Sequence, residues 1–176
     1  MSSAITIKTK LTTKRTSISF NRLTSIEIPS VLFIEEQNSD YPWTQLQFTT
    51  SIENSNNLSY CLRLNGKTIG YLIAMLAADT ADILNIGIDP DFKRQGYGAG
   101  LINHLIEELR KRNISEILLE VRAGNKSAIQ FYNKQGFEKI SVRKNYYTKN
   151  SRNQIKREDG IIMSIKIPSK ENKNVL

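Results

Sequence analysis

The sequence predicts an α+β domain: a central mixed sheet with helices packed against it. Three observations predict it. β-rich runs and helical stripes intersperse without an internal repeat, an Asn65-Gly66 pair joins two of the runs, and a glycine-rich turn leads another run into an amphipathic stretch. In chain order, "ISFNRL" from Ile18 reads as a short strand. "IPSVLFIEEQ" reads as a short helix entered through Pro29, and Thr44 caps a second helix after "YPW". "YCLRL" and "KTIGYLIAML" flank Asn65-Gly66, which fits a type I′ hairpin turn. After the polar turn "AADTAD", "ILNIGI" is a strand ending at Asp89-Pro90. Leu101, Ile102, Leu105, Ile106 and Leu109 then form one helical stripe, which Asn113 stops. "ISEILLEVR" is a strand, and Ala128, Ile129 and Tyr132 share the face of a helix that Gly136 closes. "KISVRKNYY" and "GIIMSIKI" are strands on either side of a long polar loop from Thr148 to Asp159.

The 176 residues suit one domain over 18–168, with a flexible extension over 1–17 and a frayed tail over 169–176. No apolar run reaches the roughly 20 residues that span a bilayer, and the first residues lack the apolar centre of a secretory signal. Neither a membrane protein nor a secreted one is expected. The single cysteine, Cys61, excludes an internal disulfide framework and favours the cytoplasm. A net charge of +8 would attract polyanions, but much of the excess lies outside the patterned middle, so solvated surface is expected and not direct nucleic-acid binding.

The run Arg94-Gln95-Gly96-Tyr97-Gly98-Ala99-Gly100 couples close backbone approach to a helix start, where N–H groups lack partners and the dipole favours an anion. A P-loop would need Gly-Lys-Ser/Thr and a dinucleotide fingerprint Gly-x-Gly-x-x-Gly; both fail on spacing. A strand, a basic turn and glycines leading into a helix fit the pyrophosphate of coenzyme A.

"NIGIDPDFKRQGYGAGLINHLIEELRKR", "LLEVRAGNKSAIQFYNKQGF", "VRKNYY" and "REDGIIM" together resemble the GNAT N-acetyltransferase superfamily and, within it, the RimI-type ribosomal protein alanine N-acetyltransferases. The resemblance covers about residues 18–167. It implies the GNAT acyl-CoA N-acyltransferase fold, acetyl-CoA as cosubstrate and no metal. By the same resemblance Ile86, Gly87 and Ile88 present backbone groups to the acetyl-pantetheine arm. Arg94, Gln95, Gly96, Tyr97, Gly98 and Ala99 wrap the pyrophosphate, and Asn125 hydrogen-bonds the arm. Glu120 matches the general base, acting through water, and Tyr132 the general acid for the departing sulfur. The implied substrate is the N-terminal alanine of small-subunit ribosomal protein eighteen, taken by a cytoplasmic monomer or weak dimer.

The chain departs from that pattern in three places. Lys93 stands where the superfamily prefers Gln or Arg; the stretch "TKNSRNQIK" is longer and more basic; and the extension before Ile18 has no counterpart. Local readings also compete. A glutamate on a strand is ordinarily a solvent-facing spacer, a tyrosine on a helical stripe ordinarily core, and Asn125 a helix cap. His104 has no second ligand nearby, and Cys61 reads as packing. The same chemistry on another protein N-terminus, a lysine or a small amine is the nearest alternative, with Glu35, Glu36, Asp40, Glu158 and Asp159 as candidate groove carboxylates. A catalytically inactive ribosome- or RNA-binding module is the alternative from another class; the presence of Glu120 and Tyr132 speaks against it.

Overall fold

The structure, a computed structural model, describes residues 16–151 and 154–168. Most of the expected extension and the whole expected tail lie outside the described residues. Seven strands form one sheet: β1 (Ile18–Arg22), β2 (Asn57–Leu64), β3 (Lys67–Ala77), β4 (Thr80–Ile88), β5 (Glu116–Arg122), β6 (Glu138–Ser151) and β7 (Gln154–Lys166). Their order is β1-β2-β3-β4-β5-β7-β6, and only β4 and β5 run parallel. Helices α1 (Ile28–Asn38) and α2 (Gln45–Glu53) cover one face; α3 (Tyr97–Arg110) and α4 (Lys126–Lys134) cover the other.

Local chemistry sets these boundaries. Thr44 accepts from the Gln47 amide while Gln47 reaches back to the Thr44 amide, a reciprocal cap on α2. Asn65 and Gly66 turn with φ of 51° and 86°, as a type I′ hairpin requires. The turn between β3 and β4 is tighter than the polar tract suggests: Ala77 already pairs with Thr80, and Ala78 takes φ of 50°. Leu101, Ile102, Leu105 and Leu109 of α3 are buried against Leu58, Leu62, Leu72 and Leu119 of the sheet. On the opposite face Val31, Ile34 and Phe48 close over Cys61, Tyr71 and Ile73.

The polar loop expected from Thr148 to Asp159 is instead a continuation of the β6–β7 hairpin. Thr148 pairs with Arg157, and pairing extends to Ser151 opposite Gln154. Ladder bonds are made by backbone groups and need no apolar face, so a polar tract can extend a hairpin whose register is set elsewhere. Here Arg143 pairs with Gly160 and Tyr147 with Glu158, which leaves Lys144, Asn145 and Tyr146 opposite Asp159 alone. Asp159 holds that bulge, accepting from the Asn145 amide at 2.9 Å and the Lys144 ammonium at 2.8 Å.

A second bulge matters more. Ile73 pairs with Asn85 but Ala74 pairs with Ile83, so Leu84 is one extra residue in β4. Parallel pairing to β5 covers only Thr80 to Ile83 and stops there. Because the side-chain period of a strand is two, one extra residue reverses the faces. Ala81 and Ile83 point into the α3 core before the bulge; Ile86 and Ile88 do so after it. Gly87 then falls on the other face, beneath Tyr71, whose ring a Cβ there would meet at 2.6 Å. Gly87→Ala should therefore overpack this site and lower unfolding stability by about 1–3 kcal/mol, measured by urea denaturation.

Candidate active site

Past Ile83 the edges of β4 and β5 separate, while β5 stays paired to β7 through Arg122 with Gly160. The gap has backbone on one side. Asp89 donates to the Ile69 carbonyl at 2.8 Å, so alternation along the antiparallel ladder turns Gly87 toward Tyr71 and the main-chain groups of Ile86 and Ile88 toward the gap. One of those groups is already used: Asn38 Nδ2 donates to the Ile88 carbonyl at 2.9 Å.

The glycine segment stands beyond the end of β4. Arg94 and Gly96 both take left-handed backbone, with φ of 59° and 89°, and Gly96 is the N-cap of α3. The first helical N–H with an internal partner is that of Gly100, which donates to Gly96 at 2.9 Å. The amides of Tyr97, Gly98 and Ala99 therefore open the helix without intrahelical partners. The alternating glycines have separate causes. Gly96 has open space and is required for its φ. At Gly98 a Cβ would meet the Phe131 ring at 3.1 Å, and at Gly100 the Phe20 ring at 3.3 Å. Two of the three glycines thus let α3 settle on neighbouring aromatic rings, where ligand approach was the sequence expectation. Lys93 and Arg94 are exposed, and Gln95 Nε2 donates to the Asp91 carbonyl.

Asn125 is a helix cap: its Oδ1 accepts from the Ala128 amide at 3.1 Å and from Ser127. Its amide nitrogen has no acceptor among the described residues. Tyr132, on α4, is 8% exposed and packs on Phe131 and Phe137, yet its hydroxyl has no hydrogen-bond partner among the described residues. Burial pushes the phenol up to about 12.

Glu120 lies on the opposite face of β5 from Leu119 and Val121, which enter the α3 core. Its carboxylate sits over Gly160, where a Cβ would meet it at 3.1 Å. Arg143 donates to it at 2.9 Å, and the Tyr147 hydroxyl bonds to it as well. Glu120 is thus a partnered, mostly covered carboxylate and not a solvated spacer. The motifs contained its partners without marking their roles. Arg122 shares its face of β5, with the Tyr41 and Tyr147 rings 4.4 and 4.1 Å from the guanidinium carbon. Arg143 lies 3.7 Å from the Tyr146 ring. The two-residue spacing of Glu120 and Arg122 in Leu-Glu-Val-Arg was the available signal, since that spacing shares a strand face.

The candidate groove carboxylates divide. Glu35 is buried and accepts from the Trp43 amide at 3.0 Å, from Asn85 at 3.2 Å and from the Tyr71 hydroxyl. It holds structure together instead of facing a groove. Burial, and then Glu35, raise the Tyr71 phenol far above the ordinary tyrosine range. Glu158 pairs with Arg122 and accepts from the Gly124 amide; Asp159 holds the β6 bulge. Glu36 and Asp40 are exposed. His104 stacks on Phe20 and meets Tyr60 edge-on, and burial lowers its pKa. Cys61 is fully buried. No cluster able to hold a metal occurs among the described residues, and no helix among them is long and apolar enough to cross a membrane.

A mixed sheet that opens past its one parallel pair among the described residues, with a helix start beyond the end of β4, matches the architecture of N-acetyltransferases. The chain belongs to the acetyltransferase (GNAT) family, whose model matches residues 25–137. It is 37% identical over 150 residues to the ribosomal protein bS18-alanine N-acetyltransferase of Escherichia coli, covering 84% of this chain and 98% of that relative. The enzyme of the same description from Salmonella typhimurium is 34% identical, over 82% of this chain and 95% of that relative. A crystal structure of the Escherichia coli ribosomal protein alanine N-acetyltransferase superposes with a TM-score of 0.78 at 35% identity, covering 91% of this chain and 99% of that one. These are the RimI-type enzymes that the motifs resemble.

The burial of Tyr132 has a measurable sign. A phenol titrating near 10.0 when unfolded and about 12 when folded contributes its full stability below about pH 10 and loses it as pH rises toward 12. Over that window wild type should lose up to about 1.4 kcal/mol per pH unit more than Tyr132→Phe in urea denaturation. Parallel losses in the two proteins would contradict the burial of the hydroxyl.

Proposed function

We propose that the chain transfers the acetyl group of acetyl-CoA to the α-amine of the N-terminal alanine of ribosomal protein bS18, in the cytoplasm. The observation that carries this reading is the separation of β4 from β5 past Ile83, which opens the sheet between Tyr132 on one face and Glu120 on the other. The names and high coverage of the RimI-type relatives support the acceptor.

The residues at the gap fit acetyl-CoA as a substrate. The unpartnered amides of Tyr97, Gly98 and Ala99, with Arg94 and Gln95 before Gly96, suit a pyrophosphate. The gap-facing main chain of Ile86 and Ile88, with Gly87 between them, suits the amide-bearing pantetheine arm, and the uncommitted nitrogen of Asn125 can donate to it. When bound, acetyl-CoA supplies an acetyl thioester.

The remaining work falls to protein side chains. An α-amine with pKa about 7.7–8.0 is partly neutral near neutrality, so a modest base suffices. Glu120, oriented by Arg143 and Tyr147, takes the proton of the incoming ammonium through water. Tyr132 retains its proton at all physiological pH and gives it to the departing sulfur. N–H groups at the end of β4 stabilise the negative charge that develops on the carbonyl oxygen. An inactive binding module would have no use for this pair of groups flanking the gap.

Mass spectrometry of ribosomal proteins from cells with and without the gene should show one acetyl group on bS18 that depends on the gene. In vitro, with chemistry made rate-limiting, Glu120→Gln should lower saturating turnover on an alanine-starting peptide by about 10²–10⁴-fold at neutral pH and recover part of that by about pH 9, as neutral amine becomes available. Profiles that run parallel within about threefold would remove Glu120 from the mechanism. Tyr132→Phe should reduce turnover while leaving acetyl-CoA affinity in calorimetry nearly unchanged, because the phenol acts only as thiolate charge develops.

A further inference from the structure

We propose that Arg122 determines acceptor specificity by reading the first main-chain carbonyl of the acceptor, and so selects a peptide N-terminus over a lysine side chain or a polyamine. The inference rests on the acetyl-transfer function proposed above and deepens it. Arg122 and Glu120 occupy alternate positions on β5 and share a face, roughly 6.6 Å apart along the strand. The Tyr41 ring, from the segment joining α1 and α2, and the Tyr147 ring, from β6, lie 4.4 and 4.1 Å from the guanidinium carbon. Aromatic rings beside a guanidinium hold its orientation and leave its in-plane N–H edge as the part that can bond.

That edge is only partly spent. Nη1 approaches the Thr148 carbonyl and Glu158 Oε2, each at 3.5 Å, while Nε and Nη2 have no acceptor among the described residues. The side chain is 28% exposed, so the guanidinium is not sealed in the core. A peptide N-terminus presented to Glu120 carries its first carbonyl on the same residue as the amine, close enough for a neighbouring side chain on the same strand face to bond it. A lysine ε-amine has four methylenes before its backbone, and a polyamine has no carbonyl and brings further positive charge toward the guanidinium. Both leave the Arg122 donors unmatched, and unmatched polar groups are what a selective site rejects.

The test compares an alanine-starting peptide with an analogue whose first peptide bond is an (E)-alkene, a neutral replacement without the carbonyl, on wild type, Arg122→Met and Arg122→Lys. Acetyl-CoA affinity of each protein is measured alongside. Wild type should favour the amide over the alkene by about 10- to 100-fold in kcat/KM, the worth of one hydrogen bond from a charged donor. Arg122→Met should bring that ratio within about threefold by losing rate on the amide alone. Arg122→Lys keeps the charge without the planar edge and should also lower the ratio; it answers the question if the methionine variant fails to fold. A wild-type enzyme indifferent to the carbonyl, or variants that lose rate equally on both acceptors, would overturn the proposal and leave Arg122 as a prop for Tyr147. A wild type that binds acetyl-CoA yet acetylates neither peptide would overturn the proposed acceptor, and this inference with it.

Discussion

One extra residue in β4 organises the rest of the molecule. Leu84 has no partner in the β3 ladder, and parallel pairing with β5 ends at the residue before it. A bulge bends its strand and increases the local twist, so two parallel strands that would otherwise stay paired diverge. The divergence exposes main chain at Ile86 and Ile88 in the middle of a sheet, where backbone groups are normally consumed by a neighbour.

The same residue reverses which side chains face which layer. Ile86 and Ile88 join the core under α3, so the edge of the gap is anchored by apolar packing. Asn85 and Gly87 turn the other way and meet Glu35 and Tyr71. Glu35 has no cationic partner among the described residues; it is held by three donors, from the loop after α1, from β3 and from β4. A buried carboxylate is tolerated when its lone pairs are satisfied, and here the satisfying groups tie the α1–α2 segment to the strand that lines the gap.

Electrostatics on the β5–β7–β6 side follows a different logic. Glu120, Glu158 and Asp159 face Arg143, Arg122 and Lys144 respectively, so Glu158 and Asp159, two of the five carboxylates expected to line an acceptor groove, are matched by cations. Exposed pairs of this kind add little stability, but they orient the groups they join. Tyrosines 41, 146 and 147 lie close to the two arginines and limit where those cations can point. The excess positive charge of the whole chain therefore says less about the site than these pairings do.

Short-range interactions were legible in the sequence because each acts within a few residues. The α3 stripe, the Thr44 cap, the Asn65-Gly66 turn and the Gly96 helix start each follow from spacing and backbone preference, and all are found as expected. The motifs also identified the family. Contacts between distant segments were not legible. The space at Gly98 belongs to Phe131, 33 positions away in the chain numbering, and that at Gly100 to Phe20; Glu35 is buried by groups on β3 and β4. Arg122 meets Tyr41 and Tyr147 only after the segment joining α1 and α2, β5 and β6 assemble. The bulge at Leu84 and the extension of the β6–β7 hairpin likewise depend on which strand lies alongside. Backbone pairing and side-chain burial reward proximity in space, and a local pattern carries no record of which distant residue will supply it.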